Sequence, residues 1–276
     1  MNDLNEWNLL NSEEIMEAPG WDRDLEIDVA CCRAGLYSAL ALGFRPPEKE
    51  TIARLCSKEG PAALADAASV LDAGGKLAAA ARALALIVTF GDELSASHRR
   101  LFGHTARGAV PPYETEYGVE ALFQQPQEMG DLMGFYRAFG LTLNNQEHER
   151  ADHVSCECEF LSFLALKEAY AVEHRDAFML EETRKAERLF LRDHLGRFLP
   201  AFANKLTHED RNGLYGTLGS LAFQFIALEC ARFSVPLGLE NLTLRPADDD
   251  RVPMACGSAE CPVMPGVSEI DETDGT

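Results

Sequence analysis

The feature that most constrains this chain is a helical repeat of apolar residues running, with interruptions, from about residue 26 to residue 234. Leu214, Leu218, Leu221, Phe225 and Leu228 advance by alternating steps of four and three. Such steps put side chains on one stripe of a 3.6-residue helix, whereas a strand needs strict alternation. Met129, Leu132, Met133, Tyr136 and Phe139 repeat the pattern, as do Val154, Cys158, Leu161, Ala165 and Val172. Residues 62–70 and 77–88 predict two further helices, split by Gly74-Gly75, a pair that disfavours a helix interior. Breaks are expected at Pro46-Pro47, Gly60-Pro61, Gly91, Pro111-Pro112 and Gly140. With no hairpin pattern and no fixed-period repeat, the expected fold is all-α, a single irregular helical bundle.

Charge divides the chain into three. Residues 1–28 carry a net −8 and residues 240–276 a net −7, leaving −5 for residues 29–239. The reading is an acidic N-terminal segment (1–28), a helical domain (29–239) and an acidic tail rich in Pro, Gly and Asp (240–276), both ends adding little regular structure. This balance repels nucleic acid and anionic membrane and suits a basic partner. No uninterrupted apolar run approaches the ~20 residues that span a bilayer, and the acidic start is unlike a signal peptide. A cytoplasmic protein without membrane insertion is expected, its eight cysteines mostly reduced thiols.

Tests for catalytic chemistry fail. None of the seven histidines has a glutamate three residues before it, as a di-iron bundle requires, and His208-Glu209 is not continued into a zincin motif. Phosphate loops, dinucleotide fingerprints and serine-hydrolase elbows are absent from the sequence. Cys256 and Cys261 could supply half of a tetrahedral metal site, or be two free thiols in a tail; they are the weak metal candidates. Neither a cofactor nor an enzymatic activity is expected.

Four segments, in order, carry a resemblance. They are Arg33 to Ala41 with Phe44 and Pro46-Pro47; Arg100 to Gly103 leading to Pro111-Pro112-Tyr113-Glu114-Thr115-Glu116-Tyr117-Gly118; Met129 to Leu141 followed by Glu149-Arg150-Ala151-Asp152-His153 and Glu157; and residues 190–202. Together they resemble the TorD/DmsD family, more broadly NarJ-like, of redox enzyme maturation chaperones, including its opening helix, its proline-tyrosine-glutamate loop, its Asp-His hinge and one later helix. The chain departs from that pattern with Ala151 where many relatives have proline and Phe198 where tryptophan is frequent.

The resemblance implies a chaperone that holds the apo catalytic subunit of a DMSO-reductase-type molybdoenzyme, or its twin-arginine leader, until the molybdenum cofactor is inserted. It would act as a monomer or homodimer. A twin-arginine leader joins two guanidiniums to an apolar stretch, so its receptor should offer carboxylates beside an apolar groove. Asp152, His153 and Glu157 at the hinge, with Tyr113, Glu114 and Tyr117 in the loop, are the candidate recognition residues. Each has an ordinary alternative. Asp152 could cap the following helix, Glu157 could pair with His153 one turn back, and Glu114 could be a solvated charge. A helical scaffold or metal-sharing subunit of a redox complex, or a weak nucleotide-binding protein, are the alternative functions.

Overall fold

Helix starts and stops follow from local chemistry. The computed structural model describes residues 12–55, 57, 59–87, 91–103, 107–119, 124–144 and 150–246. Its helices are α1 (Ser12–Glu17), α2 (Arg23–Phe44), α3 (Lys49–Leu55), α4 (Glu59–Leu71), α5 (Lys76–Leu84), α6 (Gly91–Phe102), α7 (Gln124–Ala138), α8 (Val154–His174), α9 (Ala177–Asp193), α10 (Leu195–Glu209) and α11 (Leu214–Arg232). A 3-10 turn covers Glu114–Glu116. Asp22 caps α2 by accepting from the amides of Asp24 and Leu25, and Asp176 caps α9 through Met179. Between α4 and α5, the Asp72 carboxylate accepts from Gly74 and Leu77 while Gly75 turns at φ 76°, so the expected glycine break is real. Among the described residues only isolated β-bridges occur and no strand forms, as an all-α fold requires.

Two expectations need correcting. Gly60-Pro61 does not interrupt a helix but lies in the first turn of α4, where proline's missing N–H costs nothing. The single later helix implied over residues 190–202 is two helices, because His194 (φ −124°, ψ −104°) leaves helical geometry between α9 and α10. Cys256 and Cys261 lie outside the described residues.

The described chain through Arg245 forms one unit, and Pro246 belongs to a separate one of which nothing further is described. Its spine is α2 lying along α8, with α10 and α11 as the second closely packed pair. Gly219 allows the latter approach: a Cβ there would sit 2.9 Å from the Ala203 carbonyl oxygen and 3.0 Å from Leu206 Cβ. Buried aromatic rings fill the space between. Phe44, Phe102, Phe202 and Tyr215 form one group, and Tyr136, Phe160 and Phe190 another.

One buried position is ionic. The Arg33 guanidinium of α2 donates to Glu168 of α8, Glu187 of α9 and Glu229 of α11, and the Tyr37 hydroxyl adds a bond to Glu229. By length and composition α2 and α11 could each cross a bilayer, yet both are core helices, and each carries into the interior one half of the Arg33–Glu229 pair.

Past α11 the chain returns across the bundle. Pro200, inside α10, cannot donate to the Gly196 carbonyl, and the amide of Gly238 bonds that oxygen instead, at 3.0 Å. The approach is so close that a Cβ at Gly238 would lie 2.0 Å from the Arg197 carbonyl oxygen. Residues 235–245 are thereby directed toward the loop at 111–118.

Candidate functional site

The loop and the hinge are neighbours because their backbones pair. Glu114 N–H donates to the Asp152 carbonyl, Val154 N–H donates to the Pro112 carbonyl, and Tyr113 bridges to His153. Side chains strengthen the junction. Arg150 grips the Asp152 carboxylate with two bonds of 2.9 and 2.8 Å, and the Thr115 hydroxyl donates to the same carboxylate at 2.7 Å. The Arg150 guanidinium also stacks over the Tyr113 ring, 4.4 Å from its centroid.

Asp152 does not cap α8; His153 does. Its Nδ1 accepts from the Ser155 amide at 3.1 Å, which places the ring proton on Nε2. Burial, together with the charges of Arg45 and Arg150, lowers the His153 pKa to about 3, so the ring is neutral at physiological pH. Tyr117 is wholly buried, its hydroxyl donating to the Pro111 carbonyl, and serves to hold the loop. Glu114 is equally buried and is met by His194 and Arg197 from the start of α10.

Glu157 stands apart. It is fully buried, and among the described residues neither carboxylate oxygen has a hydrogen-bond partner, so the pairing with His153 is absent. Burial, then the charges of Glu114 and Asp152, push its pKa well above the usual carboxylate range.

The structure thus brings all six candidates to one junction, five of them buried and Tyr113 half-buried. It also adds residues that the local sequence pattern does not reveal. Glu128 of α7 binds Arg197 and Arg245, and Arg245 donates to the Thr115 carbonyl at 2.8 Å. Arg245 N–H donates to Glu116, and Gly118 N–H to Thr243, so the returning segment clamps the loop from outside. His194, at the break before α10, and Arg197, in its first turn, fall in the later segment that carries the family resemblance.

Beside the hinge lies a pocket of about 350 Å³. Its apolar lining includes Tyr136, Leu141, Leu143, Phe160 and Phe163, with Cys156 and the partly exposed Arg45–Glu159 ion pair adding polarity. Tyr136 joins pocket to hinge: its ring lines the cavity while its hydroxyl donates to the Ala151 carbonyl at 2.8 Å. Among the described residues no cluster of His, Cys, Asp and Glu is arranged to hold a metal ion.

The profile of the nitrate reductase delta subunit family matches residues 66–204, half of the chain. The chain belongs to this family. Within the match fall the loop, the hinge, α8 and the start of α10; Arg33, Glu229 and Arg245 fall outside it. The chain is 33% identical over 136 residues to the chaperone protein TorD of Vibrio cholerae, covering 49% of this chain and 59% of that protein. It thus spans about three fifths of the length of the TorD protein it matches. The perchlorate reductase assembly chaperone protein of Dechloromonas aromatica is 29% identical over 227 residues, covering 79% of this chain and 94% of that one. A chlorate reductase assembly chaperone protein from Ideonella dechloratans is 41% identical over 93 residues, covering 33% and 47%. The resemblance carried by the four sequence segments agrees with this membership of the nitrate reductase delta subunit family.

Proposed function

We propose that this protein is a non-catalytic cytoplasmic chaperone that binds the apo catalytic subunit of a DMSO-reductase-type molybdoenzyme, or its twin-arginine leader, before the cofactor is inserted. The observation that carries the reading is the meeting, at Tyr136, of an apolar pocket and a junction rich in carboxyl groups. A leader presents guanidiniums followed by an apolar stretch, and it needs those two surfaces side by side. Pocket volume fits one or two apolar side chains, not a folded domain. Relatives named as assembly chaperones of reductases support a client of that class. His153, neutral and engaged as a helix cap, acts as framework for the site; Asp152 and Glu114 are carboxylates held by Arg150 and by Arg197 and His194, whose places an incoming guanidinium could take.

Calorimetric titration with the leader peptide of a molybdenum catalytic subunit encoded beside this gene tests the reading. Micromolar or tighter binding without turnover is expected. No heat, together with no co-purification of the apo subunit, would overturn it.

A further inference from the structure

The junction contains four carboxyl groups from four parts of the fold: Glu114 in the 3-10 turn, Glu128 on α7, Asp152 at the hinge and Glu157 on α8. Three have cations of their own. Glu114 has Arg197 and His194, Glu128 has Arg245 and Arg197, and Asp152 has Arg150. Glu157 has none among the described residues, though it is sealed from solvent. The groups facing it are Glu114, Asp152, Glu128 and the Tyr136 hydroxyl, with Arg197 as the opposing charge and Cys156 and Cys158 on its own helix. An ionised, unpaired carboxylate in such a place is far costlier than the neutral acid.

We infer that Glu157 is the acceptor for one cationic group of the bound partner, a guanidinium or ammonium, and that docking releases one proton from this carboxyl. The inference rests on the client-binding reading above and adds to it the charge chemistry of the site. The acid's O–H bond breaks, its electron pair stays on the oxygen, the proton passes to solvent, and the carboxylate then accepts N–H bonds from the arriving cation. Arg150, with 46% of its side chain exposed against 29% for Arg197 and 4% for Arg245, is the most exposed cation of the cluster. Among the described residues, Glu157 is the carboxyl of this cluster that has no cation paired with it, so a partner's cation would find its acceptor there. Burial holds the acid protonated in the free protein and makes binding favour higher pH.

The test is calorimetric titration of the full chain with a synthetic twin-arginine leader peptide in phosphate and in Tris, whose ionisation enthalpies differ, at several pH values. Wild-type protein should release about one proton per peptide, with affinity rising up to about tenfold per pH unit. Glu157→Gln, which copies the neutral acid in shape, should melt no lower than wild type, and higher near neutral pH, while binding more weakly and releasing no proton. Binding with buffer-independent heat, or equal release by Glu157→Gln, would overturn the inference and leave the chaperone reading standing. Absence of binding in every buffer would remove that reading and the inference with it. A direct check needs no peptide: 13C NMR showing the Glu157 carboxyl ionised at pH 7 in the free protein also overturns it.

Discussion

The Arg33 Nε donates to both carboxylate oxygens of Glu229, at 2.9 and 3.0 Å, across 196 residues of sequence and deep inside the protein. The same guanidinium meets Glu168 and Glu187, so a single planar fork ties α2 to α8, α9 and α11. Removing one member of a buried ionic set leaves the others uncompensated, a loss of about 3–5 kcal/mol. Arg33→Met is expected to destabilise by that order in urea unfolding. Arg33→Lys should recover little, because an ammonium cannot reproduce the fork.

The same cluster sets a dependence on pH. Burial, reinforced by Glu168 and Glu229, raises the Glu187 pKa from 4.5 to about 8 although Arg33 opposes the shift. Between those values the folded chain holds a proton that the unfolded chain releases. This contribution is fully present below pH 4.5 and is lost as pH rises through about 8. Glu157 adds a decline of the same sign. Stability should therefore fall from about pH 6 to 8, by up to ~1.4 kcal/mol per pH unit for each such proton. Urea midpoints across that range should show a smaller slope for Glu187→Gln.

At low pH the sign reverses. Burial raises the Glu168 pKa, but the opposing charges of Arg184, Arg33 and Arg232 prevail and hold it at about 2, below its ordinary 4.5; His153 titrates at about 3 rather than 6.5. Both contributions are present above the unfolded values and disappear as pH falls through the folded ones. Acid unfolding should begin below about pH 5, and His153→Gln should reduce its steepness by about one proton.

Asp152 ties Arg150 and Thr115 together and is not the helix cap. Asp152→Ala strands both donors and should cost about 1–3 kcal/mol of stability; Asp152→Asn, keeping one acceptor oxygen, should cost less. Leader affinity measured beside thermal melting separates the roles. If Asp152→Asn melts near wild type but binds several-fold more weakly, its charge serves recognition; unchanged affinity assigns it to the scaffold.

Arg245 and Gly238 fix the returning segment. Gly238→Ala pushes a methyl into the Arg197 carbonyl, and Arg245→Ala removes the bonds to Thr115 and Glu128. Each should loosen the loop at 111–118. Hydrogen exchange at the Gly118 amide, which donates to Thr243, should speed up by at least tenfold, corresponding to about 1.4 kcal/mol. Unchanged protection in both variants would mean that the loop is held without the clamp.

By itself the sequence determined the helices and the neighbourhood of the site. Apolar spacing is a local property, and the stripes of α7, α8 and α11 can be read from it because any helix burying one face must repeat every three to four residues. The Asp-His dipeptide and the proline-bounded loop were visible as segments carrying a family pattern, and the structure does pair them. Only the tertiary structure decided what each charge does. Arg33 meets partners 135, 154 and 196 residues away, and Glu114 meets His194 and Arg197 across 80 and 83. No spacing rule reaches so far. His153 rather than Asp152 became the cap because Arg150 and Thr115 already hold the Asp152 carboxylate. Glu157, which the sequence offered as a recognition candidate or as a partner for His153, became a buried acid with no hydrogen-bond partner among the described residues, because packing removed it from water. Desolvation depends on everything that surrounds a group, and that is settled only once the whole chain has closed around it.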